Sequence, residues 1–236
     1  MTITNTNRDH ALLEKTCPID FNGHQFVALH SGALFWPDEN TLLVADLHLE
    51  KMSSFARNGQ LLPPYDTGAT LAMLRDDMEK SGAEQIICLG DSFHRDEGVS
   101  SLFGADLELL KELVSTAEWI WIKGNHDPSP HNIGGKCVDQ IGIKNLALVH
   151  EPSVDEHNQI AGHLHPGARI RINGRTSRGP CFIYDKRLMI LPAYGKSTGN
   201  LNILSDAYDG LFEKKALNVI MIGKEKLYPV ATKFLI

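Results

Sequence analysis

Five short stretches of this chain carry the residue types that bind cations: Asp46-Leu47-His48, Gly90-Asp91, Gly124-Asn125-His126-Asp127, His150 and Gly162-His163-Leu164-His165. Carboxylate oxygens, imidazole nitrogens and an amide oxygen together make a mixed oxygen and nitrogen donor set. That set suits manganese, iron or zinc better than calcium. Asp46 and His48 are two apart, as are His163 and His165, so on an extended strand each pair leaves one face and can serve one ion. Asp91 and Asn125 follow glycines, where a chain turns close to a ligand without a Cβ clash. One such signal means little, because an isolated histidine is more often a satisfied core residue. Five in order, each closing an apolar run, point to a metal site.

The apolar runs are TLLVADLH (41–48), EQIICLGDS (84–92), EWIWIKGNHD (118–127), NLALVH (145–150) and NQIAGHLH (158–165). Each is short, bounded by turn residues and rich in Val, Ile, Leu or Trp, which predicts a buried strand. Between the first two, residues 65–82 place Leu71, Leu74 and Met78 at helical spacing, with Asp66 or Thr67 as cap and Gly82 as stop. Residues 101–117 repeat the pattern with Leu102, Leu109 and Leu113. Strands alternating with helices predict βαβ units, whose ligands gather beyond the carboxyl ends of the strands. Residues 18–37 read as hairpin strands turning at Asn22-Gly23. After residue 166 the chain returns to short β runs, so a second sheet fed from both termini is expected. Trp119 and Trp121 read as core, and the Gly-rich 131–136 as a loop near the mouth of the site.

Composition narrows the class. The 236 residues are 42% hydrophobic and 22% charged, with a net charge of −6 that argues against a broad basic surface. No apolar run reaches the length of a membrane span. The first ten residues lack the apolar core of a signal peptide, and residues 1–17 are expected to be a flexible terminus before a single domain over 18–236. Four scattered cysteines without a CxxC pair read as reduced thiols in a cytoplasmic protein.

The ordered motifs resemble the calcineurin-like metallophosphoesterases, whose signature runs DxH, GDxxDR, GNH followed by Asp or Glu, a separate His, then GHxH. The resemblance implies a four-layer α/β sandwich, with two mixed β-sheets packed face to face and flanked by helices. It implies that Asp46, His48, Asp91 and His165 hold one metal, and that Asp91 bridges to a second held by Asn125, His150 and His163. Two divalent ions, manganese first with iron, zinc or magnesium as alternatives, would lower the pKa of a bridging water and polarise a phosphate oxygen. Against two carboxylates they leave a charge of about +2, which favours an anionic substrate. By the same resemblance His126 stands beside the leaving group as general acid, and Asp127 could orient its imidazole. One position departs: His94 stands where the family has an aspartate, so it either supports neighbouring ligands differently or faces substrate together with Arg95.

VADLHLEK (44–51), LGDSFH (89–94), VHEP (149–152), AGHLHP (161–166) and LPAYGKSTG (191–199) also resemble the ligase-associated DNA damage response endonucleases of the PdeM type. His94 is then a mark of that subgroup. The resemblance implies a DNA endonuclease in repair, associated with a DNA ligase and a helicase. Arg169 and Arg171 alternate with isoleucines directly after the last metal motif, which puts two guanidinium groups on one strand face for phosphate contact. An edge strand protected by charge is the plainer reading of the same residues. The acidic net charge favours small phosphodiesters or nucleotide pyrophosphates, whereas the arginines favour DNA. A non-catalytic scaffold of the same fold would have lost ligand positions, and here all are present. Lys196 and Ser197 have no evident chemistry.

Overall fold

The computed structural model describes residues 15–52, 66–96, 98–213 and 215–236. The expected flexible segment over residues 1–14 lies outside them, as does the start of the first helical run at residue 65. Thr16 and Cys17, assigned from sequence to the terminus, instead open strand β1 (Thr16–Phe21), where they pair with Leu29 and Ala28.

The first sheet runs β1, β2 (His24–Leu29), β3 (Leu34–Trp36), β4 (Thr41–Val44), β5 (Gln85–Leu89), β6 (Glu118–Ile122), β7 (Lys136–Val138) in spatial order. Its first four strands are joined antiparallel, and β4 to β7 are parallel. Asn22 and Gly23, both at positive φ, make the expected hairpin turn. The second sheet contains β8 (Ile141–Ile143), β9 (Leu146–Leu148), β10 (Gln159–Ala161), β11 (Pro166–Ile172), β12 (Arg175–Tyr184), β13 (Leu188–Ile190), β14 (Leu201–Asn202), β15 (Asn218–Ile222) and β16 (Leu227–Val230). It is also mixed, with β9, β10 and β13 parallel and β11, β12 and β15 antiparallel. Among the described residues, the expectation that both termini feed it is not met. The N-terminal hairpins continue the first sheet, because β3 pairs with β4 through its adjacent connection.

The two sheets face one another. A single buried cluster draws Ile19, Phe26, Leu43, Ile87 and Ile120 from one and Leu148, Ile160, Phe182 and Ile220 from the other. The α-helices α1 (Asp66–Ser81) and α3 (Gly104–Thr116) cover the outer face of the first sheet. There Leu71, Leu74 and Met78 are buried as their spacing predicted, and Trp119 and Trp121 pack beneath them. The second expected helix is broken. A short α2 (Gly98–Ser101) ends before Leu102, and α3 begins at Gly104, whose positive φ resets the chain direction. Its buried face is therefore Leu110, Leu113 and Val114 rather than Leu109. The outer face of the second sheet is covered by Ile203, Tyr208, Leu211, Phe234 and Leu235, in loops and 3-10 turns. This is the α/β sandwich of two mixed sheets that the motifs implied. The expected 131–136 loop spans 131–135, since Lys136 already opens β7, and His131 lies edge-on against Phe93 and Trp121. Among the described residues no helix is long and apolar enough to cross a membrane.

Candidate metal centre

Parallel strands β4, β5 and β6 end side by side, and the loops that leave them carry Asp46 and His48, Asp91, and Asn125 to Asp127. From the facing sheet, the loops after β9 and β10 bring His150, His163 and His165. The site lies where the two sheets open at their carboxyl ends.

The expectation that each DxH or HxH pair sits on an extended strand is corrected. β4 stops at Val44 and β10 at Ala161. Asp46, His48, Asp91, His163 and His165 all take left-handed φ between 43° and 71°. This backbone costs a non-glycine residue on the order of 1–2 kcal/mol, and such outliers gather at functional sites. Cross-loop hydrogen bonds hold the conformation. Asp46 N–H donates to Gly90 O at 3.2 Å, His48 N–H to Asp91 O at 2.9 Å and Leu49 N–H to Ser92 O at 2.9 Å. The i, i+2 alternation survives in a different form, with Leu47 between Asp46 and His48, and Leu49 just after them, buried in the core.

The seven ligand-type residues converge in two groups. Asp46, His48 and His165 bring ligand atoms within 4.8 Å of one another, and so do Asp91, His150 and His163. Asn125 Oδ1 joins the second at 3.0 Å from both His150 Nε2 and His163 Nδ1. Asp91 spans them, with Oδ2 3.8 Å from His48 Nε2 and Oδ1 3.4 Å from His150 Nε2. His48 Nε2 and His165 Nε2 face each other at 3.2 Å, as do His163 Nδ1 and His150 Nε2. Lone pairs aimed at a common point, with few protons to share among them, are what a cation resolves. The residues fit two divalent ions.

Neighbouring groups prepare these donors. His150 Nδ1 lies 2.9 Å from Leu89 O, which only accepts, so Nδ1 carries its proton and Nε2 is the atom left to ligate a metal. His163 N–H donates to both oxygens of Asp46 at 3.0 and 3.1 Å, and His126 N–H to Asp91 Oδ1 at 2.9 Å. Burial works against a charge on His150, yet the Asp91 hydrogen bond and the Asp46 and Asp91 carboxylates outweigh it and raise its pKa to about 9. For Asp91, burial raises the pKa, but His150 and the His126 amide prevail and bring it to about 2. Burial, helped by His165, pushes His48 down to about 3.

Two glycines are required by close approach. A Cβ on Gly124 would stand 2.2 Å from Asp91 N and from its Oδ1, and one on Gly195 would stand 2.2 Å from Leu47 O. Gly195 shows how the 191–199 stretch supports the site. Tyr194 N–H donates to Ala45 O, Gly195 N–H to Asp46 O and Lys196 N–H to Thr70 Oγ1, so this loop backs the first metal motif.

His126 is exposed at the rim, 5.1 Å between ring centroids from His48 and stacked on His94 at 5.4 Å. Its Nδ1 is 3.1 Å from the His94 carbonyl oxygen, so Nδ1 holds a proton and Nε2 is left to exchange one. The backbone of His94 thus orients His126, and the reading of Asp127 as that partner is corrected. The Asp127 carboxylate is buried and accepts from Ser92 N–H at 2.8 Å, Phe93 N–H at 3.1 Å and Gly124 N–H at 2.9 Å. It ties the Asp91 loop to the Asn125 loop. Burial, with the Asp91 charge, pushes its pKa up to about 6. His94 joins the cluster, and Arg95 is exposed beside it. Arg169 and Arg171 are exposed on one face of β11 and outside the cluster. At about 3.3 Å per residue they stand roughly 13 and 20 Å along the strand from His165. Opposite them Arg178 is engaged by Asn200, through Nε to Oδ1 at 2.9 Å.

Two facing mixed sheets with this donor cluster at their open end define a metal-dependent phosphoester hydrolase. Residues 40–189 match the family model of the calcineurin-like phosphoesterases, and the chain belongs to that family. The crystal structure of the Pseudomonas putida nuclease MPE superposes with a TM-score of 0.69 at 28% identity, covering 91% of this chain and 100% of that one. Yfce, a phosphoesterase from E. coli, aligns at a TM-score of 0.34 and 14% identity over 83% of this chain and 96% of its own, too remote to bear on the site. No curated protein sequence matches the chain.

Proposed function

We propose that this protein is a two-metal phosphodiesterase that cleaves DNA as an endonuclease in repair, with manganese as its working metal. The observation that carries the two-metal reading is the Asp91 carboxylate facing both ligand groups, 3.8 Å from His48 Nε2 and 3.4 Å from His150 Nε2. Bound divalent ions would supply Lewis acidity toward phosphate and a more acidic water. Asp46, His48, Asp91 and His165 would hold one ion, and Asp91, Asn125, His150 and His163 the other. The chain's own part is to orient and to move protons. His126, held through Nδ1 by the His94 carbonyl, presents Nε2 as the acid for a poor alkoxide leaving group, a contribution of about 10²–10⁴-fold.

DNA as substrate is supported by the full-length likeness to a nuclease and by the exposed arginines of β11, which continue from His165 as a track for backbone phosphates. His94 and Arg95 would contact substrate on the opposite flank. The net charge of −6 favours the second reading, a small phosphodiester. Association with a ligase and a helicase rests on sequence resemblance and is tested by mixing the purified proteins. Cysteines that are all free accord with a cytoplasmic location.

The deciding experiment loads the protein with defined metals and compares a diester, a monoester, a cyclic nucleotide and plasmid DNA. Cleavage of diester and plasmid, both lost in Asp91→Ala, is expected. Activity on the monoester alone would overturn the reading.

A further inference from the structure

Lys51 closes the segment 44–51 and has no part in the ligand set. Its backbone is held from both sides. The chain before it lies against the Asp91 loop through His48 N–H to Asp91 O and Leu49 N–H to Ser92 O, and His94 N–H returns to Leu49 O at 3.0 Å. Both neighbours of Lys51 are pinned to the start of α1, Glu50 N–H by Thr67 Oγ1 at 2.8 Å and Met52 N–H by Asp66 Oδ2 at 3.0 Å. Lys51 therefore leaves a clamped backbone position two residues beyond Leu49, which is bonded to the His94 backbone, on the flank where the rings of His48, His94 and His126 stand 5.1–5.7 Å apart. Its charge is felt by both His48 and His94 and is partly offset by Asp66.

A fixed cation beside a site built for two divalent ions is repulsive, and it weakens their binding unless further negative charge arrives with the substrate. One scissile diester phosphate, with a single negative charge, offsets only part of the charge of about +2 that the two ions would leave. We propose that Lys51 binds a second phosphate, one nucleoside beyond the scissile group on the leaving side, so that the site reads a polynucleotide rather than an isolated diester. The side is set by His126, the group assigned to the leaving oxygen, which shares this flank. The proposal rests on the phosphodiesterase reading above and adds a residue that orients the strand.

The test is calorimetric binding of thymidine 5′-phosphate and thymidine 3′,5′-bisphosphate to the manganese-loaded full chain, in the wild type, Lys51→Gln and Lys51→Arg. The wild type should hold the bisphosphate about tenfold more tightly, the gain expected from one charge-assisted contact. Lys51→Gln should lose that preference and Lys51→Arg should retain most of it. A preference that survives in Lys51→Gln, an absence of preference in the wild type, or an equal loss for both ligands would overturn the proposal. Plasmid nicking by the wild type separates the two claims. A wild type that prefers the bisphosphate through Lys51 yet leaves plasmid intact overturns the DNA reading alone. One that nicks plasmid without the preference overturns the Lys51 assignment alone.

Discussion

Replacing Asp127 by alanine should destabilise the metal-free protein and weaken metal binding, with any loss of turnover following from these. The buried carboxylate accepts three backbone N–H groups, from Ser92, Phe93 and Gly124. Hydrogen bonds to a charged group contribute about 1.5–3 kcal/mol each, and an orphaned buried donor costs about 1–3 kcal/mol. Water entering the vacated space, and relief of the burial that holds the carboxyl pKa up at about 6, would recover part of this, which brings the net loss to about 3–5 kcal/mol. In a chain of this size that lowers Tm by roughly 6–20 °C. Asp127→Asn keeps one acceptor oxygen and should lose about half as much. Because the carboxylate joins the Asp91 and Asn125 loops, metal affinity should fall about 10–100-fold, as for supports of ligands elsewhere. Urea unfolding of the metal-free protein and manganese titration measure the two effects. If Asp127→Ala lost a hundredfold in turnover while stability and metal affinity stayed at wild-type values, the carboxylate would be acting on His126 after all.

Metal loading should depend steeply on pH. The Asp91 and Asp46 carboxylates hold His150 protonated up to about pH 9, and a metal must displace that proton. Apparent manganese affinity should therefore rise with pH by up to about tenfold per unit below pH 9, with proton release visible in lightly buffered solution. Since the folded pKa of His150 lies above its ordinary 6.5, its contribution to metal-free stability is complete below about pH 6.5 and lost as pH rises through 9. A metal-free Tm that climbs over that interval would contradict this. His126→Ala should lower turnover on an unactivated diester about 10²–10⁴-fold with two metals still bound by elemental analysis, and unchanged turnover would defeat its assignment as the acid. Gly124→Ala forces a Cβ to within 2.2 Å of Asp91 N, so it should abolish binding of the second metal or prevent folding; a fully loaded, active variant would refute the geometry.

The residue types that could hold metal were legible because ligand chemistry restricts them, and because apolar runs mark where strands must end. Asp46, His48, Asp91, Asn125, His150, His163 and His165 could all be named from spacing and resemblance, and the structure brings all seven together. The helix face at Leu71, Leu74 and Met78 was equally plain, since periodicity is a local property. What the sequence misstated depends on partners far along the chain. The ligand loops read as extended strand, but their left-handed φ is held by hydrogen bonds between residues 46–49 and 90–92, and by the 194–195 backbone behind them. Asp127 is adjacent to His126, which invited a dyad, yet its carboxylate turns inward to amides 3 to 35 residues away. Among the described residues the second sheet takes no strand from the N-terminal hairpins, because a short connection carries β3 straight into its pairing with β4. Lys51 carried no signal of its own, since a lysine gains meaning only from what stands beside it. Residue type is a property of the chain, and it determined which groups could hold metal. Direction, strain and neighbourhood arise from contacts between segments distant in sequence, and only the tertiary structure decided them.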